Sequence, residues 1–229
     1  MTTTILHRLL HLLLIVLIPT LLILGAIRVL MTDTYLQIEY NKPDFPADPY
    51  GFTLEDRLKL APLAMQYLLN GAGIDYLGDQ TFADGRPLYT DRELSHMVDV
   101  KHVIQLAMAG LLIGVLMFAA ITALAWRDHA GRVAWRLGMA QGAGLLLILL
   151  VALVVYLLLD WDRFFDSFHN LFFSQGTWTF EFSDTLIRLF PIRFWQDAAI
   201  TAGALAGTGA ILILVMIGII RRRVFISQP

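Results

Sequence analysis

The fold is decided by residues 90–126, which read TDRELSHMVDVKHVIQLAMAGLLIGVLMFAAITALAW. The stretch opens with a capping box, in which Thr90 is followed three residues later by Glu93. Charged and apolar residues then mix as far as Lys101, and an apolar run follows without a helix breaker from Val103 to Trp126. About 20 apolar residues cross the hydrocarbon core of a bilayer as an α-helix. The stretch therefore predicts one continuous helix that begins outside the membrane and then spans it.

Three more apolar runs have spanning length, namely Leu9 to Leu30, Leu137 to Leu159 and Ala198 to Ile220. The composition agrees, because the 229 residues are 57% hydrophobic and only 16% charged, whereas soluble proteins carry about 25% charged residues. The net charge of −2 disfavours a nucleic-acid binder. The absence of cysteine from the sequence excludes disulfides and thiol nucleophiles. We predict an all-α membrane protein with four transmembrane helices, forming a single membrane domain over residues 1–229.

The distribution of positive charge predicts the orientation of these spans. Arginines crowd the short connection after the second span and the end of the last one, at Arg127, Arg132, Arg136, Arg221, Arg222 and Arg223. Short loops rich in Lys and Arg stay on the cytoplasmic side. We therefore expect both termini in the cytoplasm. The two long segments, 32–101 and 160–197, then form a cap on the outer face of the membrane.

The predicted cap carries one histidine in each of its segments. His96 lies on the predicted helix above the second span, and Asp99 shares its face and could orient it. His169 lies in a segment unusually rich in aromatic residues, which are Trp161, Phe164, Phe165, Phe168, Phe172, Phe173, Trp178, Phe180, Phe182, Phe190, Phe194 and Trp195. An aromatic belt at the headgroup level is one interpretation. A pocket that holds acyl chains and positions a polar head is the other.

These residues favour one reaction class over others. The sequence contains neither the His-Glu-x-x-His motif of zinc proteases nor the Gly-x-Ser-x-Gly elbow of serine hydrolases. His96, Asp99 and His169 could hold a metal ion, but we expect no metal and no other cofactor. Two imidazoles suit acyl transfer to a nucleophile that the substrate itself supplies, with one as base and the other stabilising the oxygen. The alternative is a non-enzymatic membrane module that binds lipid or lipoprotein through its aromatic cap.

Four stretches of the cap carry a family resemblance. Residues 93–101 read ELSHMVDVK, residues 162–173 read DRFFDSFHNLFF, residues 177–178 read TW, and residues 184–191 read DTLIRLFP. Together they resemble the lipoprotein intramolecular transacylase (Lit) family of bacterial integral membrane proteins, over essentially the whole chain. The chain departs from the family pattern at Gln175-Gly176, where an acidic residue is frequent, and at Pro191-Ile192, where Pro-Glu is common.

The resemblance implies an acyltransferase of the bacterial cell membrane with lipoproteins and membrane lipid as partners. It would move the sn-2 acyl chain of a diacylglyceryl group to the α-amine of the lipoprotein's N-terminal cysteine, giving the lyso-form. The catalytic pair of the family corresponds to His96 and His169. The candidate binding or supporting residues are Asp99, Asp162, Phe165, Phe168, Phe172 and Trp178. The sequence leaves open which histidine is the base.

Overall fold

The structure, a computed structural model, describes residues 2–174 and 176–226, with side chains for 4–174 and 176–220. Gln175, one of the departures from the family pattern, and the side chains of Arg221, Arg222 and Arg223 lie outside the described part. The described residues form nine α-helices: α1 Thr2–Leu30, α2 Asp33–Tyr40, α3 Leu54–Leu69, α4 Asp75–Gly78, α5 Asp91–Ala125, α6 His129–Leu159, α7 Trp161–Phe172, α8 Thr185–Leu189 and α9 Ile192–Ile226.

Four of these helices are long and apolar enough to cross a membrane. They are Thr4–Leu30, Asp91–Ala125, His129–Leu159 and Ile192–Ile220. The four predicted spans are therefore confirmed, and α5 runs unbroken from the capping box through the apolar run. The last helix begins six residues earlier than the apolar pattern indicated, at Ile192. The protein is an all-α, multi-pass membrane protein.

One compact unit comprises residues Met1–Ile27, Ala109–Leu159 and Ala202–Pro229. Within it, α6 approaches α1 closely at two glycines. A Cβ added to Gly138 would lie 2.8 Å from the Cβ of Leu14, and one added to Gly142 would lie 2.9 Å from the Leu14 carbonyl oxygen. Small residues at four-residue spacing are a common basis of helix packing in lipid. Large apolar side chains such as Leu112 and Ile148 are exposed, as expected of helices that face acyl chains.

The second compact unit comprises Arg28–Met108 and Asp160–Thr201, and so contains both segments that the sequence assigns to the cap. Its hydrophobic core draws on both segments through Ala64, Tyr67, Leu77, Leu88, Tyr89, Met97, Leu186 and Leu189. Hydrogen bonds also join them, since the Tyr40 hydroxyl donates to the Leu189 carbonyl at 2.9 Å. The two segments therefore fold together as one body.

The start of α5 is fixed by a buried carboxylate. The Thr90 N–H donates to Oε2 of Glu93 at 2.7 Å, and the Glu93 N–H donates to Oγ1 of Thr90 at 3.3 Å. This is the predicted capping box. The other carboxylate oxygen of Glu93 accepts the Leu186 N–H at 2.7 Å, and the side chain is fully buried. Glu93 thus fixes the first turn of α5 against α8, one turn before His96.

Helix α7 carries the second histidine and is poorly covered by the rest of the chain. Asp160 caps its start by accepting the Arg163 N–H at 2.9 Å. None of its twelve residues is fully buried, and Leu171 is 75% exposed, with Phe168 and Phe172 also exposed. A helix with an uncovered aromatic and aliphatic face is typical of one that lies at a membrane interface.

Candidate active site

The second unit brings His96 of α5 and His169 of α7 together. Their imidazole centroids are 6.4 Å apart, and the ring planes are inclined by 25°. His96 is buried, with 8% of its surface exposed, and His169 is half-buried. A small polar group bound beside the two rings can therefore reach both of them.

A backbone hydrogen bond fixes the orientation of His169. Its Nδ1 lies 2.8 Å from the carbonyl oxygen of Phe165, one turn earlier on α7. A carbonyl oxygen only accepts, so Nδ1 is the nitrogen that carries hydrogen and donates. In the neutral ring, Nε2 then holds the free lone pair. This is the tautomer that a general base needs.

His96 is restricted in a different way. Its Nδ1 is buried and has no hydrogen-bond partner among the described residues. Nε2 is therefore the nitrogen of His96 that a substrate can reach. Asp99 acts on His96 through its negative charge, which favours the protonated imidazole and so opposes the lowering of its pKa.

Both imidazoles are neutral at pH 7. Each lies outside the apolar runs that span the membrane, since His96 precedes Val103 and His169 follows Leu159. Burial and, to a smaller extent, the neighbouring His169 lower the pKa of His96 to about 4, against the opposing charge of Asp99. Burial also lowers the pKa of His169, against the opposing effects of its hydrogen bond to Phe165 and of Asp166. Two buried bases side by side disfavour protonation of either one.

Aromatic rings surround the two histidines. Phe173 contacts both imidazoles, and its ring centroid lies 4.9 Å from that of His96 and 5.8 Å from that of His169. The other rings are Phe180, 5.3 Å from His96, and Phe165, Trp178 and Phe168, which lie 4.1, 4.7 and 5.6 Å from His169. We call these five rings the aromatic enclosure. Such an enclosure limits the access of water and suits a lipid substrate.

The remaining candidates from the sequence lie further from the imidazoles. Phe172 packs on Phe168 at 5.0 Å and on Phe173 at 6.4 Å, and among the described ring contacts it reaches neither histidine. Asp162 is exposed in the first turn of α7. A carboxylate at this position stabilises α7, because its negative charge interacts favourably with the positive N-terminal end of the helix dipole.

Phe173 and Phe180 contact His96, although sequence reasoning did not single them out as site residues. Phe173 directly follows α7 and lies four residues after His169, a spacing that could have marked it. Phe180 lies between helices, in a stretch with no periodic pattern, so only the structure places it. The guanidinium of Arg92 lies 5.5 Å from the Phe180 ring and pairs with Asp184 at 3.2 Å. Through these two contacts, Arg92 at the start of α5 holds the segment from Phe180 to Asp184 in place.

Two other features of the chain bear on what the site can do. Among the described side chains, no group of three His, Asp or Glu residues is arranged to hold a metal ion. His96, Asp99 and His169 therefore do not form such a cluster. A separate cavity of about 1020 Å³ opens in the second unit, lined among others by Lys59, Arg86 and Asp184 but by neither histidine.

The fold and the site together define a multi-pass, all-α membrane protein in which two imidazoles lie inside an aromatic enclosure. The model of one family, described as lipoprotein intramolecular transacylase Lit, matches residues 11–195. The match covers most of the chain. The chain therefore belongs to the Lit family and is an acyltransferase.

The chain is also similar to individual proteins over most of its length. An uncharacterised protein of Aquifex aeolicus is 27% identical over 215 residues, which are 91% of this chain and 93% of that protein. The in meso structure of the membrane-integral lipoprotein intramolecular transacylase Lit from Bacillus cereus matches with a TM-score of 0.73 at 19% identity, covering 96% of this chain and 98% of the other. A histidine-substituted variant of that protein matches with a TM-score of 0.69 at 19% identity, over 99% and 97% of the two chains. These structural matches confirm the predicted fold.

Proposed function

We propose that this enzyme moves the sn-2 acyl chain of a diacylglyceryl-modified lipoprotein to the α-amine of the same lipoprotein's N-terminal cysteine. The observation that carries the proposal is the pair of neutral imidazoles, each of which presents Nε2 because its Nδ1 is either engaged or buried. The sequence contains no cysteine and no Gly-x-Ser-x-Gly elbow. The substrate's own amine is then the nucleophile.

The proposed reaction has two steps. The amine nitrogen attacks the ester carbonyl carbon, a C–N bond forms, and the carbonyl π pair moves to the oxygen as the amine proton passes to a histidine. The intermediate then collapses: the carbonyl re-forms, the C–O bond to glycerol breaks with its electron pair, and the glycerol oxygen takes that proton back. The products are an amide and a free hydroxyl. No water or redox partner is consumed.

The geometry favours distinct roles for the two histidines. His169 is the base, because its hydrogen bond to the Phe165 carbonyl leaves the lone pair on Nε2. His96 is the partner that donates from Nε2–H to the ester oxygen, because a hydrogen on its buried Nδ1 would have no acceptor. Positioned proton transfer contributes about 10²- to 10⁴-fold to rate. Both groups return to their starting state when the glycerol oxygen is protonated.

The enclosure has two functions in this proposal. It holds amine and ester together in the strained ring that intramolecular attack requires, and orientation of this kind lowers the barrier substantially. It also limits access of water, which would otherwise hydrolyse the ester. The uncovered face of α7, with Phe168 and Phe172, contacts the acyl chains. Lipoproteins and membrane lipid are thus the proposed partners.

The proposed site lies on the outer side of the bacterial cell membrane, with both termini in the cytoplasm. Support comes from Arg127 between α5 and α6 and from Arg132 and Arg136 in the first turns of α6, since positive charge at the short connections between spans remains cytoplasmic. Accessibility labelling of single cysteines introduced at Asp75 and Arg132 in intact cells tests this orientation. Labelling of the Arg132 site, with protection of the Asp75 site, would reverse it.

The decisive experiment is mass spectrometry of one lipoprotein's N-terminal peptide from bacteria that lack any other N-acylating enzyme and express this protein. We expect an unchanged total mass with one acyl chain relocated from glycerol to the amine. The His96→Ala and His169→Ala variants, expressed to the same level, should leave the diacyl form with a free amine. Persistence of that diacyl form with the unaltered protein would overturn the proposal.

A further inference from the structure

The site contains an excess of buried polar atoms that the chain itself does not satisfy. Among the described side chains, the buried nitrogen and oxygen atoms without a hydrogen-bond partner are Tyr35 Oη, Glu39 Oε1, Tyr89 Oη, His96 Nδ1, Trp161 Nε1 and Trp178 Nε1. Two of these six are the indole nitrogens of Trp178 and the adjoining Trp161, and both can only donate. Buried polar groups are normally paired, because leaving one unpaired is costly. Their concentration at one place indicates a ligand with hydrogen-bond acceptors.

Of these two tryptophans, Trp178 is the one whose ring contacts a histidine of the proposed site. Its ring centroid lies 4.7 Å from that of His169, with the planes inclined by 32°, and 6.3 Å from that of Phe165. The indole nitrogen can only donate a hydrogen bond. Any partner that it gains is therefore an acceptor, and substrate binding must shift the surrounding rings enough to uncover this N–H, because the nitrogen is buried in the free protein. Trp161 lies further from the histidines, and its ring centroid is 6.4 Å from that of Phe165.

The proposed reaction creates such an acceptor. As the amine attacks, the ester carbonyl oxygen becomes an oxyanion, and donors aimed at this oxygen stabilise the transition state more than the ground state. The proposed proton transfer to His169 creates one positive charge beside the oxyanion, and neutral donors aimed at the oxygen itself would stabilise it further. A buried indole N–H is such a donor, and surrounding aromatic rings exclude the water that would weaken it.

We propose that the indole N–H of Trp178 donates a hydrogen bond to the carbonyl oxygen of the ester under attack and, together with His96, stabilises the oxyanion. This inference rests on the proposed acyl transfer. It assigns Trp178 a polar role in catalysis, beyond the apolar contact that an aromatic ring makes with acyl chains. Trp161, which touches neither histidine ring in the described contacts, is not assigned to the oxyanion.

The test replaces the N–H and keeps the ring. β-(3-Benzothienyl)alanine at position 178 has the shape of tryptophan with sulfur in place of N–H, and Trp178→Phe is the simpler variant. We expect kcat for acyl transfer to fall by about 10²-fold, the loss typical of one oxyanion donor, with KM changed little. Trp195→Phe is the matched control, because Trp195 is exposed and packs only on Phe190 and Phe194 among the described ring contacts. A benzothienyl variant with the kcat of the unaltered enzyme would overturn the inference.

A binding measurement separates failure of this inference from failure of the proposed function. A diacylglyceryl lipopeptide with an acetylated amine cannot react, but it carries the same ester carbonyl. Its addition to the full-length ¹⁵N-tryptophan-labelled enzyme should move the Trp178 indole proton resonance downfield and leave that of Trp195 in place. An unmoved Trp178 resonance under saturating ligand contradicts the hydrogen bond. Absence of transfer by the unaltered enzyme, with the Trp178 resonance shifted, contradicts the proposed function alone.

Discussion

The imidazole rings of His96 and His169 lie 6.4 Å apart and within 25° of parallel, although they come from different helices in the two long segments of the chain. Each has only Nε2 to offer a substrate, for opposite reasons. Nδ1 of His169 donates to a backbone carbonyl, whereas Nδ1 of His96 is buried without a partner. This asymmetry separates the two roles experimentally, because a base and a donor respond differently to the same substitution.

Asparagine should distinguish the two histidines. An asparagine at position 96 still provides an N–H donor, so His96→Asn should retain more activity than His96→Ala. An asparagine at position 169 provides no base, so His169→Asn and His169→Ala should both lose about 10²- to 10⁴-fold in kcat. Acyl transfer to a synthetic lipopeptide measures all four variants. Equal losses for His96→Asn and His96→Ala would contradict a donor role for His96.

The pH dependence of transfer should reflect the lowered pKa of His169. Because burial lowers that pKa below its ordinary value of about 6.5, the neutral base persists on acidification, and the limb of the kcat profile that reports His169 should lie below pH 6.5, separate from titration of the substrate amine. Asp166 opposes the shift. Asp166→Asn should therefore move the acidic limb to still lower pH, and it should do so less at high ionic strength, where surface charges are screened.

Asp162→Asn is the control for this pH experiment, since Asp162 is an exposed aspartate of the same helix and is not among the groups that shift the pKa of His169. Its pH profile should match that of the unaltered enzyme. Movement of the acidic limb to higher pH in Asp166→Asn would contradict the assignment of His169 as the base.

The sequence predicted much of this fold because its strongest signals are local. Runs of apolar residues fix the four spans through bilayer thickness alone. The capping box of Thr90 and Glu93 is a pattern within one turn of helix, and it correctly starts α5. The motifs around His96 and His169 also identified the family, whose match over residues 11–195 confirms the acyltransferase class.

The geometry of the site could not be predicted, because it depends on contacts between distant parts of the chain. Glu93 receives its third hydrogen bond from Leu186, and nothing near either residue indicates the other. Phe180 reaches His96 from a stretch without helical or strand periodicity, fastened by Arg92 and Asp184. The catalytic assignment of His96 and His169 itself stays a prediction until the variants are measured.

Opening the enclosure should change the product as well as the rate. Phe180→Ala removes a ring 5.3 Å from His96, so water can reach the ester or the tetrahedral intermediate. We expect released fatty acid to increase relative to the N-acylated product, because enclosed sites suppress hydrolysis by excluding water. Phe182→Ala is the control in the same stretch, since Phe182 is 78% exposed. An unchanged ratio of fatty acid to amide in Phe180→Ala would show that this ring does not exclude water.

Glu93 should be the critical capping residue of the second unit. Its carboxylate is fully buried and accepts the N–H groups of Thr90 and Leu186 as well as the Thr90 hydroxyl. In Glu93→Gln, the side-chain NH2 group faces a backbone N–H in either orientation, so one hydrogen bond is lost. Each lost hydrogen bond to a buried charged group costs about 1.5–3 kcal/mol. We expect thermal unfolding in detergent micelles to shift clearly to lower temperature. Transfer activity should fall with it, because the first turn of α5 positions His96.

The second capping box of the chain provides the comparison for Glu93. Asp56 accepts the Thr53 N–H at 2.8 Å and the Thr53 hydroxyl at 2.7 Å at the start of α3, where these hydrogen bonds are exposed. Asp56→Asn therefore alters the same motif without burying an unpaired group, and it should cost about 1 kcal/mol or less. A loss of stability in Asp56→Asn equal to that in Glu93→Gln would mean that helix capping, and not the buried link to Leu186, accounts for the effect.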